Sequence, residues 1–134
     1  MKQIQLAMFG CLLLGLAACS KAEPTLPRGS NEMLRAPIAS AEGLEVIISD
    51  VIIPPNMTVP GHYHPGEEFI YVIEGSAIHV EEGKPDQVLS AGDTYVIPPR
   101  AIHMPRGGPE GARAIVFRVH VADQPERIPV PAEN

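Results

Sequence analysis

Beyond residue 19 the chain shows no ten-residue stretch in which apolar side chains recur every three to four positions. Its apolar runs are instead short, rich in Val and Ile, and cut off by proline or glycine. Leu44 to Ile53 stops at Pro54-Pro55, and Thr94 to Ile97 stops at Pro98-Pro99. Proline has no amide proton to give a ladder, so a strand ends there. Phe69 to Ile73 closes at Glu74-Gly75-Ser76, with Ala77 to Glu81 as a partner strand. Gln87 to Leu89 lies between the turns Gly83-Lys84-Pro85-Asp86 and Ala91-Gly92-Asp93, and Ala112 to Val121 is the last long run. Short strands at such spacing predict an all-β domain. The pattern leaves barrel, jelly roll and immunoglobulin-like sandwich open. With no Trp and 4% aromatic residues, the core must be built mainly from Val, Ile, Leu and Ala.

The first residues read differently. Lys2 is the only charge before Lys21, and no polar side chain interrupts Leu6 to Ala18. As a helix those residues would rise about 20 Å, short of the roughly 30 Å hydrocarbon core of a bilayer. A positive start, a short apolar stretch and small residues at its end predict a secretory signal peptide over 1–18. Leu16-Ala17-Ala18-Cys19 resembles a bacterial lipobox, which implies lipidation of Cys19 and a mature chain beginning there. Ser20 in place of Asp then implies the outer membrane, with the domain on its periplasmic side. Cys11 would leave with the signal, so Cys19 is the only remaining thiol and no internal disulfide can form. Residues 19–41, with Pro24, Pro27, Gly29 and Pro37, read as a flexible tether able to reach at most about 70 Å. Residues 42–123 form the domain and 124–134 a tail.

The net charge of −6, with no run of Lys or Arg, argues against nucleic acid and against electrostatic docking to an anionic membrane. Chemistry concentrates in the histidines. His62 and His64 are two apart, so on a strand both face one side; Glu68 has the same parity if the strand resumes after Pro65-Gly66. Ile70 and Val72 continue that face inward. Two imidazoles and a carboxylate so placed can make most of a divalent metal site, or an exposed turn can contain them by chance.

Residues 61–75, Gly-His-Tyr-His-Pro-Gly-Glu-Glu-Phe-Ile-Tyr-Val-Ile-Glu-Gly, resemble the first motif of the cupin superfamily: His62, His64, Glu68 and Gly75 fill its positions. Gly92 to His103 resembles the second motif, with Gly92, Pro98 and His103 in place. Three departures stand out. Asn56 and Arg100 occupy positions where Gly is usual, and Gly107 occupies one where Asn is usual. Asn tolerates a left-handed turn, whereas Arg100 is expected to distort the turn before His103.

The resemblance implies a double-stranded β-helix, or jelly-roll barrel. It implies one divalent transition metal (Fe, Mn, Cu, Ni or Zn) held by His62, His64, Glu68 and His103, and a possible homodimer. It leaves three functions open: a small-molecule dioxygenase with Glu68 as catalytic base, a non-catalytic metal or small-ligand binding or sensing module, and a metal-free structural protein or isomerase. Elsewhere, His79 reads as a residue that meets solvent or a satisfying hydrogen bond, with the barrel lining as alternative. His120 and Arg118 read as surface, Glu67 and Tyr63 point away from the site, and Arg100 and Arg106 bracket His103 on a rim loop that could attract an anion.

Overall fold

The computed structural model of the chain describes residues 26–131. The signal segment and Cys19 lie outside them. Among the described residues there is no helix; the order is β1 (Gly29–Pro37), β2 (Leu44–Ile53), β3 (His62–Tyr63), β4 (Glu68–His79), β5 (Gln87–Ser90), β6 (Thr94–Ile97), β7 (Arg106–Val121) and β8 (Ile128–Pro129). The main sheet runs β1-β2-β7-β4-β5, with β6 also paired to β4, while β3 and β8 form a second small sheet. Every pairing is antiparallel. The architecture is the all-β jelly roll expected of a cupin.

Alternation along β2, β4 and β7 builds the interior. Val72, Leu89, Ala114 and Val116 form its buried apolar cluster, with Val51, Ile70 and Tyr95 packed against it. A Val, Leu or Ile side chain of this kind, once fully buried, stabilises the fold by about 1.5–3 kcal/mol. The opposite face carries a second apolar row, one residue per strand, in register: Leu34, Ile48, Phe117, Phe69 and Val96. Phe69 and Phe117 are 42% and 41% exposed.

The structure corrects four boundaries. Residues 29–37 are not tether but an edge strand, paired with Glu45 to Ile52 and carrying a bulge between Glu32 and Leu34. Its polar sequence hides it, because backbone hydrogen bonds to β2 hold it rather than burial. The tail also packs: Ile128 pairs with Tyr63, and Glu126 bonds inside the barrel. The turn predicted at Glu74-Gly75-Ser76 is a pair of bulges within the single strand β4. Arg106 lies in β7, which starts six residues before the predicted Ala112. The Gly107-Gly108-Pro109-Glu110-Gly111 stretch looks like a loop by composition. Its glycines instead allow close approach: a Cβ on Gly107 would strike the Pro54 carbonyl, and one on Gly108 the Ser76 hydroxyl.

Gly75 has φ +66, and a Cβ there would press into the Gly111 carbonyl oxygen; Gly83 has φ +76 with nothing within 4 Å. Both substitutions to Ala incur the left-handed penalty of about 1–2 kcal/mol. Only Gly75→Ala adds a backbone clash. Denaturant titration is therefore expected to place Gly75→Ala well below Gly83→Ala in stability; equal midpoints would show that the bulge relaxes freely.

Candidate metal centre

Three histidines from two segments of the chain meet in the barrel. β3 supplies His62, and His64 follows two residues later. His103 comes from the stretch between β6 and β7. Two backbone bonds clamp the segments together: the His62 amide donates to the His103 carbonyl at 3.1 Å, and the His103 amide to the His62 carbonyl at 2.9 Å. Ring centroids lie 4.3 Å apart for His62 and His103, 5.1 Å for His62 and His64, and 5.4 Å for His64 and His103. One ligand nitrogen from each falls within 4.8 Å of the other two. All three side chains are buried.

The nitrogen available from each ring follows from its hydrogen bonds. His62 Nδ1 lies 2.8 Å from the Pro60 carbonyl, His64 Nδ1 2.6 Å from that of Glu126, and His103 Nδ1 3.0 Å from that of Ala101. A carbonyl oxygen only accepts, so each Nδ1 carries the proton. Each Nε2 of the neutral ring is then a lone pair, as metal-binding imidazoles require. Burial, with the neighbouring His103, lowers His62 from the ordinary 6.5 to about 3. Burial lowers His64 and His103 as well, so all three rings are neutral at neutral pH.

Glu68 opens β4 and is buried. Pro65-Gly66 bends the chain against β7, where a Cβ on Gly66 would strike the Val119 carbonyl; the strand then resumes with Glu68 buried. Glu68 stands in register with Arg118 of β7, whose Nε donates to Glu68 Oε2 at 2.5 Å. Burial alone would raise the Glu68 pKa, but the Arg118 guanidinium beside it, through charge and hydrogen bond, is the chief influence that lowers it instead and holds the group ionised. Glu68 Oε2 is 3.2 Å from His64 Nε2. That distance is not a hydrogen bond, because a neutral His64 has its one N–H on Nδ1, donating to the Glu126 main-chain carbonyl; Nε2 is a buried atom without a donor. Two lone-pair atoms face each other there, and a cation relieves the contact. The donor set therefore fits a divalent metal: His62, His64 and His103 converge, and Glu68 sits beside them, tied to Arg118.

Both departures to glycine-like positions keep the turn. Asn56 has φ 57 and Arg100 φ 64. Arg100 thus adopts the conformation glycine would take, donates its amide to the His64 carbonyl at 2.9 Å, and stacks 5.1 Å over the Tyr63 ring. The expected distortion does not occur. The surface reading of β7 is overturned: Arg118 and His120 are buried while Phe117 is exposed. Arg118 also reaches Ser49 and Glu126, and His120 Nε2 donates to the Gln124 carbonyl at 3.1 Å. His79 is buried, not solvated. Beside the centre lies a cavity of about 350 Å³ lined by Ile70, Val72, Leu89, Ala114 and Val116, with His79 on its wall.

A model of the family described as Cupin domain matches residues 49–117, and the chain belongs to that family. No curated protein matches it in sequence. Among solved structures it is similar to a cupin-like protein of Thermotoga maritima (20% identity, TM-score 0.56, 82% of this chain and 90% of that one). It is also similar to the DMSP lyase DddQ of Ruegeria pomeroyi (25% identity, TM-score 0.53, 63% and 42%). A mutant of the Bacillus subtilis oxalate decarboxylase OxdC is a third (18%, TM-score 0.59, 83% and 31%). The chain thus spans less than half the length of both enzymes.

Two outcomes follow from the hydrogen bonds. Ending the chain at Gln124 removes the carbonyl that orients His64, and zinc affinity measured against a chromogenic chelator is expected to fall about 10–100-fold; unchanged affinity would mean that His64 needs no such support. The second concerns acid. A histidine depressed from 6.5 to about 3 favours the unfolded state below its unfolded value, so stability is full above about pH 6.5 and falls toward pH 3. Glu68, also depressed, acts with the same sign. In metal-free protein, His62→Gln is expected to flatten the loss of stability between pH 6.5 and 4; a parallel curve would contradict the depressed value.

Proposed function

We propose that this protein is a lipid-anchored cupin of the bacterial cell envelope, held through Cys19. In this reading its barrel keeps one divalent transition metal on His62, His64, His103 and Glu68 and receives a small oxygen-bearing organic molecule in the adjoining cavity. The observation that carries it is the shared tautomer of the three histidines, with every Nδ1 bound to a carbonyl and every Nε2 left toward the same point. When bound, the metal would supply a Lewis acid for a ligand oxygen and a position for dioxygen. Dioxygenase-type oxidation is the chemistry we propose for it. The chain's own residues hold the imidazoles neutral, keep Glu68 ionised through Arg118, and surround the ligand with aliphatic walls that exclude water.

A second reading, a binding or sensing module without turnover, is favoured by one observation. The sequence assigned Glu68 as base, yet Arg118 grips the oxygen that would accept the proton. A carboxylate held this way is a weak base. The two readings part in one experiment on a soluble form beginning after Cys19 and purified from the periplasm without a metal-affinity tag. About one equivalent of metal, lost in His62→Ala and His103→Ala, is expected. Oxygen consumption with a panel of enols and catechols then supports the dioxygenase, and binding without consumption supports the module. Folded protein that takes up no Fe(II), Mn(II), Cu(II) or Zn(II) would remove both.

A further inference from the structure

His79 sits on the cavity wall outside the metal donor set, 3% exposed, its ring centroid 6.1 Å from that of His103. Its Nε2 lies 3.0 Å from Glu81 Oε2. Glu81 is itself buried, and its carboxylate is surrounded by donors: the Tyr95 hydroxyl at 3.2 Å on the same oxygen and Lys84 Nζ at 2.7 Å on the other. A carboxylate in that setting only accepts, so Nε2 carries a proton, and Nδ1 of the neutral ring is a lone pair. Among the described residues Nδ1 has no hydrogen-bond partner. The cavity thus contains imidazoles fixed in opposite senses. His62, His64 and His103 are anchored through Nδ1 and expose Nε2, whereas His79 is anchored through Nε2 and leaves Nδ1. The other walls of the cavity near it, Val72, Ala77 and Leu89, offer no polar side-chain atom.

We propose that His79, positioned by Glu81, is the ligand-selecting residue of this cavity: its Nδ1 accepts a hydrogen bond from an O–H or N–H group on a molecule whose oxygen is bound at the three-histidine centre. The inference rests on the reading of that centre as a ligand-receiving metal site. It adds a chemical class, a small oxygen-donor ligand that also carries a hydrogen-bond donor. A ligand without the donor leaves a buried lone pair unsatisfied, and the cost of an unmade bond in such a place exceeds the gain of making it.

The test uses zinc-loaded full-length protein in detergent, with propanoate and 3-hydroxypropanoate as probes and calorimetry as the readout. Wild type is expected to bind the hydroxy acid about five- to tenfold more tightly, the effect of one net hydrogen bond. His79→Phe is expected to abolish that preference at unchanged zinc content. His79→Asn, whose side-chain oxygen can accept in place of Nδ1, is expected to keep it. A purely structural His79 would change stability in both variants and leave the preference intact, so a preference that survives in His79→Phe overturns the proposal, as does equal affinity of wild type for both acids. Failure of either acid to bind counts against the metal-site reading, and the tautomer then decides separately. Nitrogen-15 spectra of histidine-labelled wild type, with His79 assigned by its loss in His79→Asn, are expected to show a protonated Nε2 and bare Nδ1. A protonated Nδ1 overturns the proposal whether or not any acid binds.

Discussion

Strand β7 is hydrogen-bonded along both edges, to β2 on one side and β4 on the other, and its register decides what the barrel contains. Opposite Ile47 and Glu68 it places Arg118; opposite Ser49 and Ile70 it places Val116; opposite Val51 and Val72 it places Ala114. A shift by one residue would send Phe117 inward and Arg118 out. The interior would then gain the Phe117 ring in place of Val116 or Arg118, and Glu68 would lose its cation. Removing one partner of a buried pair of this kind costs about 3–5 kcal/mol, which is comparable with the whole stability of a small domain. The bulges of β4 and the glycines of β7 are what allow so long a strand to hold register while the sheet curves.

Electrically the centre is built in two layers. The imidazoles are uncharged, and Glu68 is neutralised by Arg118, which in turn shares its second arm with Glu126. The three imidazoles together with the Glu68–Arg118 pair carry no net charge. What waits is a set of oriented lone pairs, one of them opposed to a carboxylate oxygen. Such an arrangement avoids a costly unpaired buried charge while bringing three imidazole donors close together with a carboxylate beside them.

Much of this could be read from the chain. The Val- and Ile-rich runs ending at paired prolines pointed to the strand class, and the two cupin-like motifs pointed to the segments that bring His62, His64 and His103 together. Asn56 signalled its left-handed turn. The failures share a cause. β1 is held by backbone bonds and ion pairs of Arg35 with Glu32, Glu45 and Glu126, none of which leaves a hydropathy signature. Arg118 and His120 were placed by the rule that polar side chains face water, and around the histidine centre that rule inverts: the aromatic residues of β4 and β7 take the outer face. For His79 the hydrogen-bond reading holds and the solvent reading does not. Glu126 was beyond reach for a different reason. It acts on His64 through its main-chain carbonyl, and a carbonyl is the same in every residue. Only the alternation of His79 with Ile78 and Val80 hinted at a lining position, and nothing in the sequence ties it to Glu81.

The carbonyl that aligns His64 lies 62 residues further along the chain, in the last turn before β8. A chain synthesised from its amino end presents His62 and His64 long before it presents Glu126. During that interval the His64 ring lacks the carbonyl that orients it. The three-histidine arrangement comes into being only when the carboxyl-terminal segment has folded back, and it is therefore a property of the finished barrel rather than of the emerging motif.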